Sequence, residues 1–156
     1  MSKWTENIFW DDMIPEDEIK KTVENVSFYE RFGKYLGTTE KYKKNVQGKE
    51  REFKVEKLTT NQLRKFFGEV KRQQMNGYNK TDFILLKPKL AYAVGRAKGD
   101  SKIKDFYEVM SNAIDIVAKE QDEEKAKLYF KNFIKIFEAI VAYHKAAEEG
   151  KISENN

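Results

Sequence analysis

Apolar residues recur along this chain with the period of an α-helix, in one stretch after another, and that period limits the folds open to it. Leu63, Phe66, Phe67 and Val70 stand at i, i+3, i+4 and i+7. Ile103, Phe106, Tyr107, Met110, Ile114 and Val117 repeat the pattern, as do Phe130, Phe133, Ile134, Phe137, Ile140 and Val141. Such stripes bury one helix face and leave the other in water, so they must pack on one another. The 8 Gly and 2 Pro in 156 residues leave few breaks, and a charged fraction of 36% suits long solvent-facing helices. The fold class expected is all-α: a single bundle of about five helices, with an N-terminal arm and a charged loop.

Helix ends are marked locally. Pro15 followed by Glu16, Asp17 and Glu18 suits a first turn, with Ile19, Val23 and Val26 behind it. A second short helical stretch is expected to run to Tyr35 and stop at Gly37. Thr59-x-x-Gln62 reads as a capping box. Asp82, Ser101 and Asp122 are expected caps for the three helices that follow. The last helix is expected to end near Glu149, with Gly150 as its stop. Residues 1–57 then form an arm, a helix and a mobile basic loop at 38–57, with weak strand pairing around Phe53 and Val55 as the loop's alternative; residues 58–150 form the bundle and residues 151–156 a polar tail. The arm holds Trp4, Ile8, Phe9, Trp10 and Ile14, too apolar for a free end.

The net charge of +4 conceals a sharp division. Residues 59–98 carry nine basic groups and two acidic ones, whereas the segments 1–36 and 99–156 are each net acidic. Lys and Arg concentrated on neighbouring helices are the usual footprint of a polyanion-binding face. Arg64, Lys65, Lys71 and Arg72 fall off the apolar stripe of one helix; Lys87, Lys89 and Arg96 lie on the next. Tyr92 shares a stripe with Lys89 and Arg96, which marks it as a ring that could face a ligand. The alternative for all of these is a solvated surface.

Catalytic chemistry finds little material. There is no Cys and one His, His144, so thiolate nucleophiles, thiolate metal sites and His pairs are excluded. His144 reads as a half-buried or surface helix residue. The triplets Glu16-Asp17-Glu18 and Asp122-Glu123-Glu124 sit at helix starts, where the dipole accounts for them. Gly95-x-x-x-Gly99 reads as a chance spacing or a close helix approach. No cofactor, metal site, enzymatic activity or membrane span is expected, and the chain reads as cytoplasmic.

Three segments resemble a known family. Leu86-Lys87-Pro88-Lys89-Leu90-Ala91-Tyr92-Ala93-Val94-Gly95-Arg96 is similar to the signature of the small α-helical subunit of the type III-A CRISPR effector, the Csm complex. Leu58-Thr59-Thr60-Asn61-Gln62-Leu63-Arg64-Lys65-Phe66 and Phe137-Glu138-Ala139-Ile140-Val141-Ala142-Tyr143-His144-Lys145 resemble a helix start and the last helix of that family. Val94 departs from the pattern, which has a smaller residue there, and residues 1–57 lie outside it. The resemblance implies a non-catalytic helical subunit that helps hold the guide RNA and target RNA. It also implies packing against copies of itself and against the backbone and large subunits. By position it makes Arg64, Lys65, Lys87, Lys89 and Arg96 RNA-facing candidates, with Lys71, Arg72 and Tyr92 added from helix geometry. The other reading is a helical assembly module with no direct RNA contact.

Overall fold

The computed structural model describes Trp4 and residues 19–152. Its elements run α1 (Ile19–Leu36), β1 (Glu40–Val46), β2 (Lys49–Val55), α2 (Thr60–Asn76), α3 (Lys80–Ile84), α4 (Leu86–Arg96), α5 (Ile103–Lys119) and α6 (Glu123–Glu148). The protein is mostly helical, with five helices of 11 residues or more among the described residues, as its periodicity predicts. Of the expected arm only Trp4 is described. Ile8, Phe9, Trp10, Ile14 and the Pro15–Glu18 helix opening lie outside the described residues, as does most of the expected polar tail.

Two expectations for the first third are corrected. The stretch to Leu36 is one continuous helix, α1, not two. The basic loop at 38–57 is an antiparallel hairpin, β1 paired with β2 from Glu40↔Val55 to Val46↔Lys49. Its turn is Gln47-Gly48, with φ of 54° and 80°. Two positive φ values give a turn whose twist matches the strands, and glycine takes the second without strain.

α6 is the spine. Its 26 residues span about 39 Å at 1.5 Å per residue. Asp122 caps it as expected, accepting from the amides of Glu124 and Lys125. Past its C-terminal end, Gly150 sits at φ 73°, the left-handed stop. A run of mostly edge-to-face rings binds α2, α3 and α5 to it: Phe66 lies 5.5 Å from Phe137 and 5.8 Å from Phe106, and Phe83 lies 5.0 Å from Phe133. Such contacts add about 0.5–1.5 kcal/mol each beyond area burial.

α1 lies along α6 through two glycines. A methyl at Gly33 would stand 2.6 Å from Tyr143 Cβ and 2.7 Å from the Ile140 carbonyl; one at Gly37 would stand 2.6 Å from the His144 carbonyl. The close helix approach is therefore Gly33-x-x-x-Gly37. Gly95 and Gly99 have nothing within reach of an added methyl, so their identical spacing is coincidental. Trp4 packs on the same helix, its ring 5.0 Å from those of Phe32 and Tyr35.

Two expected caps also change. Asn79, not Asp82, caps α3, its side chain accepting from the Asp82 amide at 3.0 Å. Lys102 occupies the cap position of α5, while Ser101 accepts from the Ile103 amide at 3.3 Å. Lys102 is buried. Its ammonium donates to the Tyr35 carbonyl at 2.8 Å, meets Glu40 at 3.2 Å and lies over the Tyr35 ring at 4.0 Å. One lysine thus ties α1, the hairpin base and α5 together.

Candidate nucleic-acid interface

The start of α2 is fixed from two directions. The Thr59 hydroxyl accepts from the Gln62 amide at 3.1 Å, and the Gln62 side chain accepts from the Thr59 amide at 2.9 Å, completing the expected capping box. From α6, Glu148 accepts from the Thr60 amide at 2.7 Å and the Thr60 hydroxyl at 2.9 Å. A carboxylate there satisfies free N–H groups and complements the helix dipole. His144 completes the fastening. Its Nε2 lies 2.5 Å from the Leu58 carbonyl, which can only accept, so Nε2 carries the proton. The ring is buried, and burial holds its pKa below the ordinary 6.5 despite Glu148 nearby. His144 is an interior pin, not the half-buried or surface residue its sequence suggests.

With α2 so placed, its outer face and that of α4 form the walls of a groove of about 820 Å³. Arg64 and Lys65 line it from α2; Lys89, Tyr92 and Arg96 line it from α4. Phe66 and Pro88 form part of its apolar lining. Arg64, Lys65 and Arg96 form no ion pair with any described residue, and the Arg96 guanidinium lies 5.8 Å from the Tyr92 ring centre. Tyr92 is 67% exposed, a high figure for a large ring.

One carboxylate, Glu69, lines the groove. It meets Arg72 at 2.6 Å and Lys89 at 3.0 Å. Hydrogen bonds from Arg72, then from Lys89 and Gln73, hold its pKa down at about 2 against the opposing effect of burial. Lys89 is therefore tethered within the groove, whereas Arg64, Lys65 and Arg96 are not.

The structure brings five of the eight sequence candidates together and places three elsewhere. Lys71 pairs with Glu138 of α6, and Lys87 meets Asp115 of α5 at 2.7 Å. Arg72 is held by Glu69 beside the groove and does not line it. Asn61 is a lining residue that the sequence reading passed over. It sits one turn before Arg64 and Lys65, so the same stripe could have revealed it.

Among the described residues no cluster of His, Asp or Glu could hold a metal ion, and no helix is long and apolar enough to cross a membrane. The class defined by this architecture is a small, mostly helical protein with a basic groove between α2 and α4. The chain belongs to the Csm2 family, since the family model described as Csm2 Type III-A matches residues 38–150. It is thus a small subunit of the type III-A CRISPR effector, the Csm complex. The match begins at residue 38 and so includes the hairpin, which the resemblance starting at Leu58 left outside. No curated protein and no solved structure matches the chain.

Proposed function

We propose that the α2–α4 groove holds the sugar-phosphate backbone of guide or target RNA without reading sequence, and that the chain is a non-catalytic brace within the effector. The observation that carries this reading is the groove itself. Four cations, Arg64, Lys65, Lys89 and Arg96, line one channel beside an exposed tyrosine and against a single carboxylate. Arg can grip a phosphate with two parallel bonds, and Lys supplies a mobile point charge. Tyr92 offers a flat ring to any base turned toward the wall. The sole histidine is committed to the Leu58 carbonyl, and that supports a non-catalytic role.

Copies of the chain set end to end would continue the track, with the backbone and large subunits as neighbours. If four phosphates are neutralised per copy, log K for single-stranded RNA falls against log salt with a slope of about −3. The test is titration of RNA at several salt concentrations, with Lys89→Glu/Arg96→Glu as the groove variant. The variant should bind markedly more weakly and keep full helicity by circular dichroism. A flat salt response, or unchanged affinity in the variant, would leave the groove without its role. Retained assembly with the backbone subunits alongside unchanged RNA affinity would favour the alternative, a pure assembly module.

A further inference from the structure

The hairpin carries a second charged surface, and its register sorts the side chains unusually. Side chains alternate between faces along a strand, and directly paired residues share a face. One face holds the pairs Tyr42↔Phe53, Lys44↔Arg51 and Val46↔Lys49; the other holds Lys41↔Lys54, Lys43↔Glu52 and Asn45↔Glu50. Acidic groups thus gather on the second face, where Glu52 stands opposite Lys43 and Glu56 meets Lys54 at 2.8 Å. The first face has one carboxylate, Glu40 at its base, and that one is bound to Lys102 at 3.2 Å. Lys44, Lys49 and Arg51 have no carboxylate partner among the described residues.

Two costs stand uncompensated on this face. Like charges placed directly opposite each other weaken a strand pair, and Lys44 faces Arg51. Tyr42 and Phe53 stack with ring centres 5.6 Å apart and planes 19° from parallel, yet Tyr42 is 45% exposed. The platform and the cation pair are two residues apart on each strand, about 7 Å. Neighbouring flat rings and cations match alternating bases and phosphates, as in surfaces that hold single strands. An acidic peptide would meet the charge but not the rings.

We propose that the Tyr42/Phe53/Lys44/Arg51 face of the hairpin is a second RNA contact, one that stacks a base of a single-stranded segment on the rings and holds adjacent phosphates with the cations. It shares its partner with the groove reading but lies on a separate element, so either can fail without the other.

The test uses the full chain, a short labelled single-stranded RNA of mixed sequence, and an abasic strand of equal length and charge, read by fluorescence anisotropy at low salt. Lys44→Gln/Arg51→Gln should weaken RNA binding about fivefold or more, while Lys41→Gln/Lys43→Gln, an equal charge loss on the opposite face, has a smaller effect. Tyr42→Thr/Phe53→Val, which keeps strand-favouring residues, should reduce the preference for base-bearing over abasic RNA, leaving only the share that Tyr92 in the groove supplies. Circular dichroism and thermal melts confirm that each variant folds. Equal losses from the two faces would reduce the effect to bulk charge and overturn the proposal, as would no loss from either. RNA binding that survives while the variant fails to join the other Csm subunits would reassign the face to a protein partner. The groove variant, run in parallel, reports on the groove alone.

Discussion

Glycine illustrates how far one residue's effect depends on what lies next to it. Gly33 and Gly95 are both helical, and replacing glycine by alanine inside a helix ordinarily gains about 0.5–1 kcal/mol. At Gly95 an added methyl meets nothing, so Gly95→Ala should raise the melting temperature slightly. At Gly33 the methyl collides with the α6 backbone at 2.7 Å, and neither helix can retreat without opening the interface. Gly33→Ala should therefore destabilise by about 1–3 kcal/mol, the range for overpacking. Chemical denaturation of both variants checks the pair; equal effects would show that α1 does not seat on α6 through this glycine. The spacing Gly-x-x-x-Gly occurs twice in the sequence, and nothing local distinguishes the copy that packs. Glu69 makes a second case. Its pKa is held at about 2, below the ordinary 4.5, so the charged form is favoured by folding. Its contribution to stability is present above about pH 4.5 and is lost as pH falls toward 2. Glu69→Gln should flatten that acid limb in thermal melts. The same change frees Lys89, so RNA affinity should rise a few-fold, and a drop would contradict the groove reading.

Elements were legible in the sequence where one face was apolar. α2, α5 and α6 follow their stripes, and α6 starts and ends on its signalled residues. The hairpin was legible only as weak strand pairing around Phe53 and Val55, because its strands show no buried face: nine of its 14 residues are charged, and all are exposed or only half-buried. What makes it a hairpin is pairing and its anchorage at the base, where Glu56 accepts from the Lys102 amide at 2.9 Å. The groove was legible in part for a related reason. Helical spacing identified the outward cations, but it could not show that Lys71 and Lys87 are met by acids from elements 67 and 28 residues away. The fastening of α6 to α2 makes an element-scale prediction. Burial lowers the His144 pKa, so the folded state binds fewer protons than the unfolded chain once pH drops below about 6.5. Stability from this pin is full above that value and declines as pH falls through it toward the folded pKa. Melting temperature between about pH 7.5 and pH 5 should fall more steeply for the wild type than for His144→Gln, whose amide can still donate to Leu58. Parallel curves would show that the imidazole does not titrate against folding.

For the whole molecule, the packed core and most of the surface charge reside in different places. Rings and aliphatic side chains from α1 to α6 form one continuous core. Some surface ion pairs, such as Lys104–Asp100 at 4.0 Å and Lys127–Glu123 at 3.7 Å, are long and exposed. Such pairs contribute about 0–1 kcal/mol each and are screened by salt. The groove is the converse: Arg64, Lys65 and Arg96 form no ion pair with any described residue and would carry RNA affinity through released counterions. Raising salt from about 0.1 M to about 0.5 M should then separate the two properties. With a slope near −3, RNA affinity should fall about a hundredfold, while the melting temperature moves by no more than a few degrees. The two measurements share one sample and one titration. Affinity and melting temperature falling together would mean that salt loosens the fold, and that the RNA dependence reports unfolding rather than phosphate contact. Affinity falling alone would place the electrostatics of this subunit in its partner contacts and leave its stability to the aromatic core.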